Sequence, residues 1–137
     1  MTLAAVVQHE SGGHPLAVHD NATGVSYRPR GEDEAVALTR GLIAQGHSVD
    51  LGLGQINSGN LAWLGQSVET IFEPCANLAA TQRVLLAAWR QAGGSLPGAL
   101  SIYNTGRASL SLRMPWKMVT RISCQPSILA ARRRRSP

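Results

Sequence analysis

Apolar residues recur at helical spacing in four stretches of the chain. In residues 2–10, Leu3, Val6 and Val7 mark one face of a helix that contains neither Gly nor Pro, and Gly12-Gly13 stops it. A second helix is predicted over 32–45. Glu32, Asp33 and Glu34 crowd its first turn, where the helix dipole favours negative charge, and Ala35, Leu38 and Leu42 with Val36 and Ile43 form its inner stripe. The strongest pattern covers 74–91, where Leu78, Val84, Leu85, Leu86 and Trp89 among many alanines predict the central buried helix. A fourth helix is predicted over 96–103. Between the helices the period changes. Leu16-Ala17-Val18 and Gly24-Val25-Ser26-Tyr27 predict two brief strands around the turn residues Asp20-Asn21-Ala22-Thr23. Residues 49–57, with glycines at 52 and 54, read as a strand or an extended loop that lets another backbone or a ligand come close. Ser58 is placed to cap a short helix through 64, and another short helix is expected over 68–72. No repeat of solenoid period occurs.

The periodic pattern stops near Gly106, and the charge changes there too. The 137 residues carry a net charge of +5, unevenly spread. Residues 1–106 hold five arginines against eight carboxylates, whereas 107–137 hold eight cations and no carboxylate, ending on Arg132-Arg133-Arg134-Arg135. The expected organisation is therefore one domain over 1–106, with one core, followed by a basic, Pro-broken and disordered tail over 107–137. No apolar run reaches the roughly 20 residues needed to span a bilayer. The apolar start at 1–7 lacks a basic n-region and is not a signal peptide, so the protein acts where it is made or an export segment lies outside this chain. Cys75 and Cys124 are too few for a zinc site, and free thiols or an unpaired Cys75 are the expectation.

Chemistry concentrates at Glu10. It lies three residues after Val7 and four after Val6, so it falls on the apolar face in the last turn of its helix. Apolar surroundings and the negative end of the helix dipole both disfavour an ionised carboxyl there, and a carboxyl kept protonated near neutral pH suits a general acid. Two further motifs follow in order: Gly52-Leu53-Gly54-Gln55-Ile56-Asn57 in the extended middle and Ile102-Tyr103-Asn104-Thr105-Gly106 at the end of the last helix.

Taken together, Glu10-Ser11, Gly52-Leu53-Gly54-Gln55-Ile56 and Tyr103-Asn104-Thr105-Gly106 resemble the soluble lytic transglycosylase family. The fuller strings ESGGHPLAV, DLGLGQINSGNL, EPCANLAATQRVL and ALSIYNTG are similar to its VirB1-like branch, which serves type IV secretion and conjugation machines. The resemblance covers about residues 1–106. It implies a mainly α (α+β), lysozyme-like fold with a small irregular β-region beside the active-site cleft. It also implies cleavage of peptidoglycan glycan strands between N-acetylmuramic acid and N-acetylglucosamine, with closure of a 1,6-anhydro ring, in the periplasm and without metal or cofactor. Glu10 would be the single general acid and base. Ser11, Gln55, Asn57, Asn77, Tyr103 and Asn104 would bind substrate or support the site, with Tyr103 bonding to Glu10 and holding its rotamer. Tyr27 and Trp63 are candidate stacking surfaces, although packing roles suit them better. Most glycosidases use a second carboxylate; Asp50 is the nearest candidate and is expected to be structural. The partners implied are glycan strands and type IV secretion components.

Other readings account for less. His9-Glu10 with His14 has the wrong spacing for a zinc protease, and Gly12-Gly13 breaks the helix that motif requires. Ser11 lacks a nucleophile elbow. Four consecutive arginines attract phosphate, but no nucleic-acid reading motif accompanies them. A relative that binds the wall without cutting it, and a muramidase that lets water attack, remain the alternatives within the fold.

Overall fold

The computed structural model describes residues 3–105. Helix α1 (Leu3–Ser11) leads into the hairpin β1 (Val18–Asp20) and β2 (Val25–Tyr27), then α2 (Glu32–Ala44). A second hairpin, β3 (Val49–Leu51) and β4 (Ile56–Asn57), runs through a 3-10 turn at Ser58–Asn60 into α3 (Leu61–Leu64). Helices α4 (Pro74–Gln91) and α5 (Leu96–Asn104) follow. The mainly α class with a small β-region stands, and the basic tail over 107–137 lies outside the described residues. The β-region is more regular than expected: one antiparallel sheet in the order β2-β1-β3-β4.

Strand alternation gives the sheet two unlike faces. Val18, Asp20, Val49, Leu51 and Ile56 are buried. On the other face His19 pairs across to Ser26 and Asp50, and Asp50 pairs to Asn57. Asp20 is the one inward carboxylate. Burial disfavours its charge, but Thr23 Oγ1 at 2.7 Å, the Ala22 amide at 3.0 Å and His47 Nδ1 at 3.0 Å outweigh that and hold its pKa below the ordinary value. The cluster ties the β1–β2 turn to the segment before β3, where the Asn21 amide also donates to the Ser48 carbonyl at 3.0 Å.

Helix α4 begins on Pro74, with the Glu73 carboxylate accepting from the Cys75 and Ala76 amides. Its buried face differs from the expected one. Asn77, Ala80, Thr81, Val84 and Ala88 point inward, whereas Trp89 is 42% exposed and Leu78, Leu85 and Leu86 are half-buried. The cause is the β3–β4 turn, which lies directly on α4. A Cβ at Gly52 would stand 3.0 Å from Asn77 Cγ and overlap its amide nitrogen, and one at Gly54 would overlap Thr81. Small and hydrogen-bonding residues on α4 are what let the backbone in. Asn77 then satisfies three buried backbone groups: its Nδ2 donates to the Leu51 and Ile71 carbonyls, both at 2.9 Å, and its Oδ1 accepts from the Gly54 amide at 2.8 Å.

Three local expectations change. Residues 68–72 are turns rather than a helix, because Ser67 and Thr70 bond each other's backbone and side-chain groups. The turn after β4 is capped by Asn57, whose Oδ1 accepts from the Gly59 amide, while Ser58 Oγ accepts from the Val49 amide. Cys75 is not a free thiol: it is disulfide-bonded.

Candidate active site

α1 ends at Ser11, so Glu10 sits in its last turn as expected, half-buried. A cavity of about 220 Å³ opens beside it, bounded by α1, α5 and the β3–β4 hairpin. A second cavity of about 260 Å³, lined by Ala5, Val6 and Leu100, lies between α1 and α5, and Glu10 and Tyr103 border both. The carboxyl thus stands between a polar cleft and an apolar one. No described residue donates a hydrogen bond to it or pairs with it. Burial raises its pKa above the ordinary 4.5; His9 opposes this and the charge of Asp50 adds to it. The arrangement favours the protonated form of a carboxyl that borders the cleft.

The opposite wall is built differently. Asp50 projects from β3 into the same cavity, with Oδ1 accepting from Asn57 Nδ2 at 2.8 Å and Oδ2 from Asn21 Nδ2 at 3.0 Å. Gln55 is the one non-glycine residue with positive φ (52°) among the described residues. Its Nε2 donates to the Gly52 carbonyl at 2.9 Å and the Ala17 carbonyl at 3.3 Å, which offsets the strain and holds the side chain at the cleft.

Five of the seven expected site residues line the cleft: Glu10, Gln55, Asn57, Tyr103 and Asn104. They do not all do what was expected. Tyr103 does not bond to Glu10; its hydroxyl donates to the Gly54 carbonyl at 2.5 Å. Burial is the main reason its pKa lies far above the ordinary 10.0, with Glu10 and Asp50 adding to it and a hydrogen bond with Thr81 working the other way, so the phenol remains a donor. Asn57 spends its amide on Ser48 Oγ and Asp50, both at 2.8 Å. Ser11 and Asn77 lie away from the cleft. Ser11 Oγ donates to the Val7 carbonyl at 3.1 Å and accepts from the Gly13 amide at 3.2 Å, finishing its helix. Trp63 carries the Arg83 guanidinium 5.4 Å from its ring centre and bonds Asn60 Oδ1, and Tyr27 packs on the core. Asn21, Ser48 and Asn60 border the cleft without having been expected there. Only the turn character of 20–23 hinted at Asn21.

Among the described residues no cluster of His, Cys, Asp or Glu could hold a metal ion, and no helix is long and apolar enough to cross a membrane.

The helices around a small antiparallel sheet, and the cleft with its half-buried glutamic acid, belong to a known class: the chain is a member of the transglycosylase SLT domain family, matching it over residues 1–113. Its sequence is VirB1-like. It is 40% identical over 113 residues to the protein virB1 of Agrobacterium fabrum, covering 77% of this chain and 45% of that one. The protein virB1 of Rhizobium radiobacter is 38% identical over 113 residues, with 77% and 46% covered. The type IV secretion system protein virB1 of Brucella abortus is 35% identical over 97 residues, with 71% and 41% covered. The chain therefore spans less than half the length of these relatives. No solved structure matches it.

Proposed function

We propose that the protein is a peptidoglycan lytic transglycosylase that opens the wall for a type IV secretion or conjugation machine in the periplasm. The observation that carries the reading is Glu10: a half-buried carboxyl facing the cleft, without a hydrogen-bond donor among the described residues, and with its pKa raised chiefly by burial. Its proton goes to the glycosidic oxygen between N-acetylmuramic acid and N-acetylglucosamine. The C1–O bond breaks, its electron pair leaving with the N-acetylglucosamine oxygen. The muramic 6-hydroxyl oxygen then bonds to C1, and its proton returns to the Glu10 carboxylate. No water is consumed. Gln55 and Asn104 contact sugar groups from the two walls, and Tyr103 braces Gly54 and with it the turn that carries Gln55. Asn57 lines the cleft with its amide committed to Ser48 and Asp50, and Ser11 and Asn77 support the site from behind it.

The test is mass spectrometry of purified peptidoglycan after incubation with the protein and with Glu10→Gln. Anhydro-muropeptides from the parent alone are expected, with Glu10→Gln at least about 10³-fold slower and still folded. Reducing-end products would make it a hydrolase. Parent-like turnover in Glu10→Gln would remove Glu10 from the chemistry.

A further inference from the structure

The cleft holds a second carboxylate whose placement the single-acid scheme leaves unused. Among the described residues lining the cavity, Glu10 and Asp50 are the two that carry a carboxylate, and no cation lines it. They are held in opposite ways. Glu10 has no donor, whereas each oxygen of Asp50 accepts an amide N–H, from Asn57 on β4 and from Asn21 on the β1–β2 turn. Asn57 is in turn fixed by Ser48 Oγ and the Gly59 amide. The Asn21 backbone is fixed by the Ser48 carbonyl and by its neighbour Asp20, buried in its own cluster. Four segments thus converge to orient one carboxylate at the cleft.

We infer that Asp50 is the second carboxylate of the reaction, lying against the sugar ring that becomes positively charged and stabilising that charge without exchanging a proton or forming a bond. This rests on the transglycosylase reading above and deepens it. Before the reaction, burial makes ionisation of Glu10 costly and the negative charge of Asp50 adds a smaller part in the same direction, with His9 opposing both. Once the proton has gone to the leaving oxygen, C1 and the ring oxygen share a positive charge that both carboxylates face. The two like charges are then best compensated in the transition state, which is where an interaction must be strongest to raise the rate. The amide clamps fix the orientation of Asp50 in advance, so no reorganisation accompanies the step. The other titratable groups that face this pair are His9 on α1, Tyr103 on α5 and His19, the cross-strand neighbour of Asp50 on β1.

The experiment compares the parent, Asp50→Asn and Asn21→Ala on purified peptidoglycan, with products identified by mass spectrometry and folding checked by circular dichroism. Asp50→Asn is expected to lower kcat about 10²- to 10³-fold with KM changed less than about threefold. It should still yield anhydro products and lose activity at lower pH than the parent, because Glu10 ionises more easily without its neighbour. Asn21 is exposed, so Asn21→Ala leaves the fold intact even if Asp50→Asn does not; it is expected to lower kcat about tenfold in the same direction. Both variants within threefold of the parent, with the same basic limb, would overturn the inference while leaving Glu10 in place. Reducing-end products from the parent that vanish in Asp50→Asn would also overturn it, making Asp50 a base for water. A parent that yields no products overturns the transglycosylase reading, and this inference with it.

Discussion

The two walls of the cleft treat the same functional group in opposite ways. On the helical wall, Glu10 hangs from the last turn of α1 between two cavities, and no described residue donates to it. On the sheet wall, Asp50 is held by two amides and backed by a hairpin locked onto α4 through Asn77, Thr81 and the glycines at 52 and 54. The difference teaches that a carboxyl's job is set by what surrounds it. A carboxyl without donors, half out of water, has its ionised form disfavoured; one with a donor at each oxygen is held in a fixed orientation. On the transglycosylase mechanism proposed above, the helical wall carries the reactive group and the sheet wall the rigidity.

If rigidity resides in the sheet wall, removing its central bolt should have the largest effect. Asn77→Ala would orphan the Gly54 amide and the Leu51 and Ile71 carbonyls in a fully buried site and leave a cavity. We expect a loss of about 3–5 kcal/mol in denaturant unfolding. A loss below about 1 kcal/mol would mean that the hairpin holds itself.

The helical wall is probed by pH. On the proposed mechanism Glu10 must be protonated to act, and its raised pKa carries the protonated form upward, so the basic limb of kcat/KM should lie above 4.5 and vanish in Glu10→Gln. The sign for stability is the reverse. Because folding raises this pKa, stability falls as pH rises through it, and Glu10→Gln should melt slightly higher than the parent at neutral pH. An enzyme whose activity falls off at or below pH 4.5 would show that the cleft does not hold the proton.

Tyr103 joins the two walls, reaching from α5 to the Gly54 carbonyl. Tyr103→Phe removes that bond and keeps the ring, so a loss of about 1–2 kcal/mol and about tenfold in kcat is expected, read by thermal melting and product release. A change in stability with no change in kcat would separate the hairpin's position from catalysis.

What could be read from the chain follows the same division. Glu10 was legible because the features that single it out are local: Val6, Val7, the helix end and Gly12-Gly13 lie within eight residues. Gln55 and Tyr103 were legible as motif members, but the strained backbone at 55 and the bond from Tyr103 to Gly54 were not, since one depends on the turn's seat on α4 and the other spans 49 residues. Helix α4 was found in place with its buried face misjudged, because periodicity counts apolar residues while the glycine turn demands small and polar ones, Asn77 and Thr81. Asp50 was expected to be structural because it belongs to no matched motif; its clamp by Asn21 was not legible, since the two lie 29 residues apart and only the sheet order brings them together.

The smallest effect belongs to Ser11, which the motif places next to the acid and the structure turns away from it. Its hydroxyl bonds the Val7 carbonyl and the Gly13 amide, closing α1 rather than reaching the cleft. Ser11→Ala leaves those two groups at a chain reversal close to solvent, where water can replace part of what is lost. A destabilisation of about 0.5–1 kcal/mol is expected in thermal or denaturant unfolding, with KM for glycan unchanged. Were KM to rise severalfold at constant stability, the end of α1 would have to reopen on substrate so that the hydroxyl faced the sugar. The helical wall would then be the moving part of the site as well as its reactive one.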